Sequence, residues 1–71
     1  MIYDVNINWD EEAQVWYALS TDVSGLALES DSYDILIDRV RLAVPEILSL
    51  NGIKDENINL NFISKRLERV A

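Results

Sequence analysis

The 71 residues include 13 acidic and 6 basic side chains, for a formal charge of −7, with no His, no Cys and about half the residues apolar. A chain of this length makes one small domain, residues 1–71, whose core at this size supplies only about 3–5 kcal/mol without a disulfide to add to it, so association with a partner or with itself is a natural source of further stability. The composition excludes the usual zinc sites, Ser-His and Cys-His nucleophiles and Fe–S ligation, and no apolar run approaches the ~20 residues of a membrane span. The N-terminus has neither the basic head nor the apolar body of a signal peptide, and no disulfide framework points to secretion, so the expected location is cytoplasmic.

Tyr3, Val5, Ile7 and Trp9 alternate with Asp4, Asn6 and Asn8, the period-2 pattern of a strand with one apolar face. The polar run Asp10-Glu11-Glu12 connects it to a returning strand, Val15-Trp16-Tyr17-Ala18-Leu19. Two registers fit that strand: either Val15, Tyr17 and Leu19 face inward, or Trp16 and Ala18 do, since a slip by one residue exchanges the sets. Thr21, Asp22, Ser24 and Gly25 mark a turn, and Leu26-Ala27-Leu28 is long enough for a third strand.

A helix is expected from near Asp31, with Asp31 or Ser30 as its cap and Asp34 in its first turn, where the helix dipole favours negative charge. At 100° per residue, Tyr33, Leu36, Ile37, Val40, Val44 and Ile47 form one core stripe. Pro45 lies off that stripe and cannot donate to the carbonyl of Arg41; Asn51-Gly52 is the expected stop. Ile58, Leu60 and Phe62, alternating with Asn57, Asn59 and Asn61, indicate a last strand. Beyond it Ile63, Leu67 and Val70 fit either more strand or a helical turn. The pattern is α+β in the order β-β-β-α-β: one antiparallel-rich sheet with a single helix packed on one face.

The charge is uneven. Residues 1–38 hold nine carboxylates and no Lys or Arg, whereas residues 39–71 hold four carboxylates and all six basic residues. A field of that sign repels nucleic-acid phosphates and attracts basic surfaces. Direct nucleic-acid binding is not expected, because Lys65, Arg66 and Arg69 make a cluster at one end rather than a stripe. Asp31, Asp34 and Asp38 share a helix flank at a spacing that suits Mg²⁺, with Asp4 the other conceivable ligand. Capping accounts for the first two, and Arg41 one turn on pairs with the third. The chain is therefore read as a non-enzyme without catalytic residues, metal or cofactor. Ile35 and Leu42, with Leu50 as an extension, form an apolar ridge opposite the core stripe, and one of Trp16 and Tyr17 faces away from the helix. The candidate partner contacts are Asp10, Glu11, Glu12, Trp16, Asp22, Ile35 and Leu42.

The stretch from Trp16 to Leu26, an aromatic-apolar strand running into Asp22, Val23 and Gly25, resembles the second strand and turn of HicB-like antitoxins, and Asp31 through Leu36 resembles their helix entry. Val44-Pro45-Glu46-Ile47-Leu48-Ser49-Leu50-Asn51-Gly52 is similar to a short uncharacterised branch of that superfamily. The resemblance implies a degraded RNase-H-like fold and a role as antitoxin, binding a small basic mRNA-cleaving toxin of the HicA type. It also implies self-association, to which the outer ridge is suited. Thr21 and Ser24 stand where the family has turn prolines, and Glu29-Ser30 where a Gly often precedes the cap. The sequence reaches Ala71 without the family's DNA-binding extension, so no operator binding is expected. The alternative is a stand-alone homo-oligomeric regulatory or structural module with no toxin.

Overall fold

The computed structural model describes residues 1–71. Strands β1 (Ile2–Asp10), β2 (Val15–Leu19) and β3 (Ala27–Ser30) precede helix α1 (Tyr33–Leu50), and strand β4 (Asn59–Lys65) follows it. One mixed sheet has the order β3-β2-β1-β4. β1 pairs antiparallel with β2 and parallel with β4, and β2 pairs antiparallel with β3. The α+β order β-β-β-α-β expected from the pattern is the one observed.

Pairing across the first hairpin sets Trp9 opposite Trp16 and Ile7 opposite Ala18. This settles the register of β2: Trp16 and Ala18 face the helix, and Val15, Tyr17 and Leu19 lie on the open face. Tyr3, Val5, Ile7 and Ala18 join Leu36, Val40, Val44 and Leu48 of α1 in the buried cluster, closed at one end by Val23 and Leu26. The fully buried helix positions follow the i, i+4 row, so Leu48 is enclosed while Ile47, expected in the core, is only half-buried. Such a row is inclined to the helix axis, and a helix packed along it buries a stripe that drifts around its surface.

Both helix ends have identifiable stops. The cap is Ser32, whose hydroxyl accepts from the Ile35 amide at 3.3 Å; neither Asp31 nor Ser30 fills that place. Ser30 instead accepts from the Ser32 amide at 3.1 Å and so shapes the approach to the helix. Asp34 lies in the first turn, as expected. At the other end Ile53 donates to the Leu48 carbonyl at 2.9 Å and Gly52 to that of Ser49 at 3.0 Å. This is a Schellman closure, and it needs the left-handed conformation that Gly52 adopts at φ 78°. Pro45 sits inside the continuous helix on its exposed side.

Side chains extend the sheet where β2 stops. Ser20 donates its hydroxyl to the Asp4 carbonyl and accepts from the amides of Asp22 and Val23, while Asp22 accepts from the Asp4 amide at 2.7 Å. The turn that follows has Gly25 at φ 94° and a Leu26 amide bonded to the Val23 carbonyl. It drives Val23 and Leu26 into the core, and the Asn51 side chain ties it to the helix end by donating from its Nδ2 to the Ser24 carbonyl at 2.9 Å.

The link from α1 to β4 is fastened to the start of β1. Asp55 accepts from the Tyr3 hydroxyl at 3.0 Å and from the Asn57 amide at 2.9 Å, with the N-terminal ammonium 3.6 Å away. The Asn57 bond first, then the Tyr3 bond, hold the Asp55 carboxyl below the usual carboxylate range. Burial foremost, then the hydrogen bond and charge of Asp55, raise the Tyr3 phenol. After Lys65 the chain has no regular structure, so residues 66–71 are neither the continued strand nor the helical turn that the sequence left open. They form an exposed arm, with Leu67 91% and Val70 89% accessible. The radius of gyration of 13.1 Å exceeds the roughly 11 Å of a compact chain this long, consistent with that projecting arm.

In urea melts Ser32→Ala should cost about 1 kcal/mol, whereas Asp31→Ala should stay within about 0.5 kcal/mol of the wild type. Because its pKa is depressed by folding, Asp55 stabilises the native state above the ordinary carboxylate range, and that contribution is lost as pH falls through its folded value. Asp55→Asn should accordingly melt below the wild type at about pH 6, and the gap should close on acidification below about pH 4. Tyr3 works in the opposite sense: its contribution holds below the ordinary phenol value and is lost as pH rises through the raised one.

Candidate protein-docking surface

Strand direction gathers the chemistry at one end of the sheet. β1 ends at Asp10 beside Val15, β3 ends at Ser30 beside Trp16, and β4, parallel to β1, reaches Lys65 beside Asn8. The β1–β2 hairpin, the entry to α1 and the start of the C-terminal arm therefore lie together. Asp10, Glu11, Glu12, Asp31 and Asp34 belong to these segments, and the cations nearby are Lys65, Arg66 and Arg69.

The hairpin orders part of its own acidic turn. Asp10 accepts from the Ala13 amide at 3.1 Å, and the Gln14 side chain donates to the Glu11 carbonyl at 2.6 Å. Gln14 takes a left-handed φ of 57°, which lets a loop this short close. The Glu11 carboxylate accepts from the Trp9 indole, whereas Glu12 is exposed without a hydrogen-bond or ion-pair partner in the chain.

An aromatic cluster sits immediately inside this rim. Trp9 and Trp16 meet edge to face at 5.3 Å, and Trp16 and Tyr33 at 5.0 Å. Such pairs add to the stabilisation from burial alone. The Tyr33 hydroxyl bonds to Ser64 on β4. Over the outer ring lies Arg66, its guanidinium carbon 4.3 Å from the Trp9 centroid and 5.7 Å from that of Trp16. The same guanidinium pairs with Glu68 at 3.3 Å.

The residues expected to contact a partner divide accordingly. Asp10, Glu11 and Glu12 lie together on the hairpin rim. Trp16 belongs beneath the helix rather than on the open face, where the outward aromatic is Tyr17. Asp22 lies at the opposite end of the sheet, its carboxylate engaged with the β1 backbone. Ile35 and Leu42 are on the outer side of α1, 55% and 76% exposed, a separate surface from the acidic rim. Trp9, Tyr33 and Arg66 were not among the expected contacts. The signal that finds the first is pairing about the hairpin turn, which sets residue 9 against residue 16.

Asp38 is paired with Arg41 at 3.2 Å, and no three Asp or Glu side chains converge as a ligand group. A second exposed feature runs along β4. The α1 backbone comes nearest to β2 and β3 while its apolar side covers the inner face of β1, and Ile58, Leu60 and Phe62 of the β4 segment are half-buried beside Pro45 and Arg41 in a groove of about 470 Å³. The outer edge of β4 is unpaired. No helix is long and apolar enough to cross a membrane.

These features define a small α+β domain whose distinctive chemistry lies on its surface. The chain belongs to the DUF1902 family, described as a domain of unknown function, whose model matches residues 2–71. It is similar to a hypothetical protein, TTHA1013, from the extremely thermophilic bacterium Thermus thermophilus. That crystal structure is 34% identical and superposes with a TM-score of 0.85, over 99% of this chain and 100% of the other. No curated protein matches the sequence.

The outer side of α1 should tolerate change and its inner side should not. Leu42→Gln should shift the unfolding free energy by no more than about 0.5 kcal/mol, against a loss of about 2–5 kcal/mol for Leu36→Ala, measured in parallel urea melts.

Proposed function

We propose that this chain is a binding module of the antitoxin type, acting in the cytoplasm without catalysis of its own, and that it neutralises a small basic RNA-cleaving toxin by covering its active surface. The observation that carries this reading is the meeting of Asp10, Glu11, Glu12, Asp31 and Asp34 at one end of the sheet, in a chain whose first 38 residues have no basic side chain. A toxin that grips RNA presents cations, and a concentrated acidic rim speeds encounter with such a surface and sets its orientation. The resemblance of the stretch from Trp16 to Leu26, with Asp22, Val23 and Gly25 in its turn, to HicB-like antitoxins supports the same reading.

The test is capture from the native host at low salt, followed by assay of the captured protein on RNA. The expected result is a small basic protein that leaves as ionic strength rises from about 0.05 to 0.5 M, cleaves RNA once freed and is silenced when this chain is added back. Glu12→Lys/Asp31→Lys/Asp34→Lys should weaken that inhibition about tenfold or more, by reversing charge without touching the core. Captured protein that leaves RNA intact overturns the reading. A second reading, a homo-oligomeric module without a toxin, is favoured by the unpaired β4 edge and the half-exposed Ile58, Leu60 and Phe62 beside it. Recovery of the bait alone, at a mass above one chain, would support it.

A further inference from the structure

The aromatic cluster at the acidic end differs from the core it adjoins. The buried cluster is mostly aliphatic, whereas Trp9, Trp16 and Tyr33 are half-buried, with ring planes inclined by 61° and 78° to one another. Trp16 is packed edge to face between Trp9 and Tyr33, and the two indoles lie 4.3 and 5.7 Å from one guanidinium, within the range over which a cation is attracted to an aromatic face. Hydrogen bonds hold two of the rings: Glu11 accepts from the Trp9 indole, and Ser64 bonds to the Tyr33 hydroxyl. Glu11 also puts a carboxylate at the rim, so the receptor is oriented before any ligand arrives.

Its present occupant belongs to the chain itself. Arg66 stacks over Trp9 within cation–π distance, yet its side chain remains 40% exposed. It is the first residue beyond β4, and the arm it begins has no regular structure, with Leu67 and Val70 almost fully exposed. Its other tie is an ion pair to Glu68, which is 65% exposed and lies on the same arm, a kind of pair that contributes little in water.

We propose that Trp9 and Trp16, with Tyr33 bracing Trp16 and Glu11 beside the Trp9 indole, form a binding site for an arginine side chain of a basic polypeptide, and that Arg66 is a built-in competitor occupying it in the free chain. A guanidinium suits the site better than an ammonium, being flat and weakly hydrated, so that it stacks on an indole at a smaller desolvation penalty. Occupation by a partner expels Arg66 and frees the arm carrying Leu67 and Val70, coupling docking at the rim to a change at the C-terminus. This deepens the proposed function by naming the group recognised, but the site is testable without any toxin.

Trp9 and Trp16 are the only tryptophans in the chain, so fluorescence excited selectively at tryptophan, beyond the absorption of the three tyrosines, reports on the site. The probe is a capped Gly-Arg-Gly-Arg-Gly peptide, with its Lys counterpart as control, titrated into wild type, Arg66→Ala and Arg66→Ala/Glu11→Gln. Circular dichroism verifies each fold. The expected result is a saturable fluorescence change, at least threefold tighter in Arg66→Ala than in wild type, weaker for the Lys peptide and weakened again by Glu11→Gln. Equal affinity in wild type and Arg66→Ala overturns the competition, and a non-saturating response in Arg66→Ala overturns the site. Either failure leaves the toxin assay to stand on its own result, and a negative toxin assay leaves a saturating peptide titration intact.

Discussion

The central position of β1 is the constraint on which the other elements depend. It is the longest strand, pairs on both edges, and buries Tyr3, Val5 and Ile7 on one face. Pairing with β2 sets the side-chain register of the hairpin, and pairing with β4 brings the end of the chain alongside its beginning. Where β2 ends too early to satisfy Asp4, Ser20 and Asp22 do so instead, and the same turn delivers Val23 and Leu26 to the core. An unmet amide or carbonyl in a central strand would be costly, so the conformation of this turn is bound to the sheet as much as to its own sequence.

One helix cannot cover both faces of a four-stranded sheet, nor all of one. α1 packs across the inner face of β1, β2 and β3, which leaves three surfaces differing in chemistry. The open face is polar along β1, with Asp4, Asn6 and Asn8, and carries Tyr17 and Leu19 on β2. The β4 edge combines free backbone groups with half-exposed aliphatic and aromatic side chains, a combination suited to pairing with another strand. The hairpin end concentrates carboxylates around aromatic rings. The second suits self-association and the third electrostatic recognition, and this last is the basis of the proposed docking of a basic partner.

Much of the fold was legible because its signals are local. Alternation in residues 3–9 and 58–62 marked strands, Asn51-Gly52 marked the helix end, and the apolar stripe marked its inner face. The misassigned details are those decided by a neighbour in space. Ser32 rather than Asp31 caps α1, because the helix begins at Tyr33 and the hydroxyl of the residue before it is the one that reaches the Ile35 amide. Leu48 rather than Ile47 is enclosed, because the packing row is inclined to the axis. Asp22 also has a structural contact, accepting from the Asp4 amide, that is invisible until its loop is set beside β1. The acidic rim was partly legible from Asp10-Glu11-Glu12, but the aromatic site within it draws on β1, β2, α1 and the segment after β4.

The sequence by itself determined the element order, the single helix with its apolar stripe and the segregation of negative charge into the first half of the chain. Each of these resides in periodicity or composition, which need no knowledge of distant contacts. Only the tertiary structure decided which face of β2 turns inward, where the helix sits on the sheet and that Arg66 lies over Trp9. The reason is physical: a strand's side chains alternate identically in either register, and the choice falls to the partner strand and to the helix that buries one face. Arg66 and Trp9 are far apart in sequence, and the parallel pairing of β1 with β4 is what brings them together.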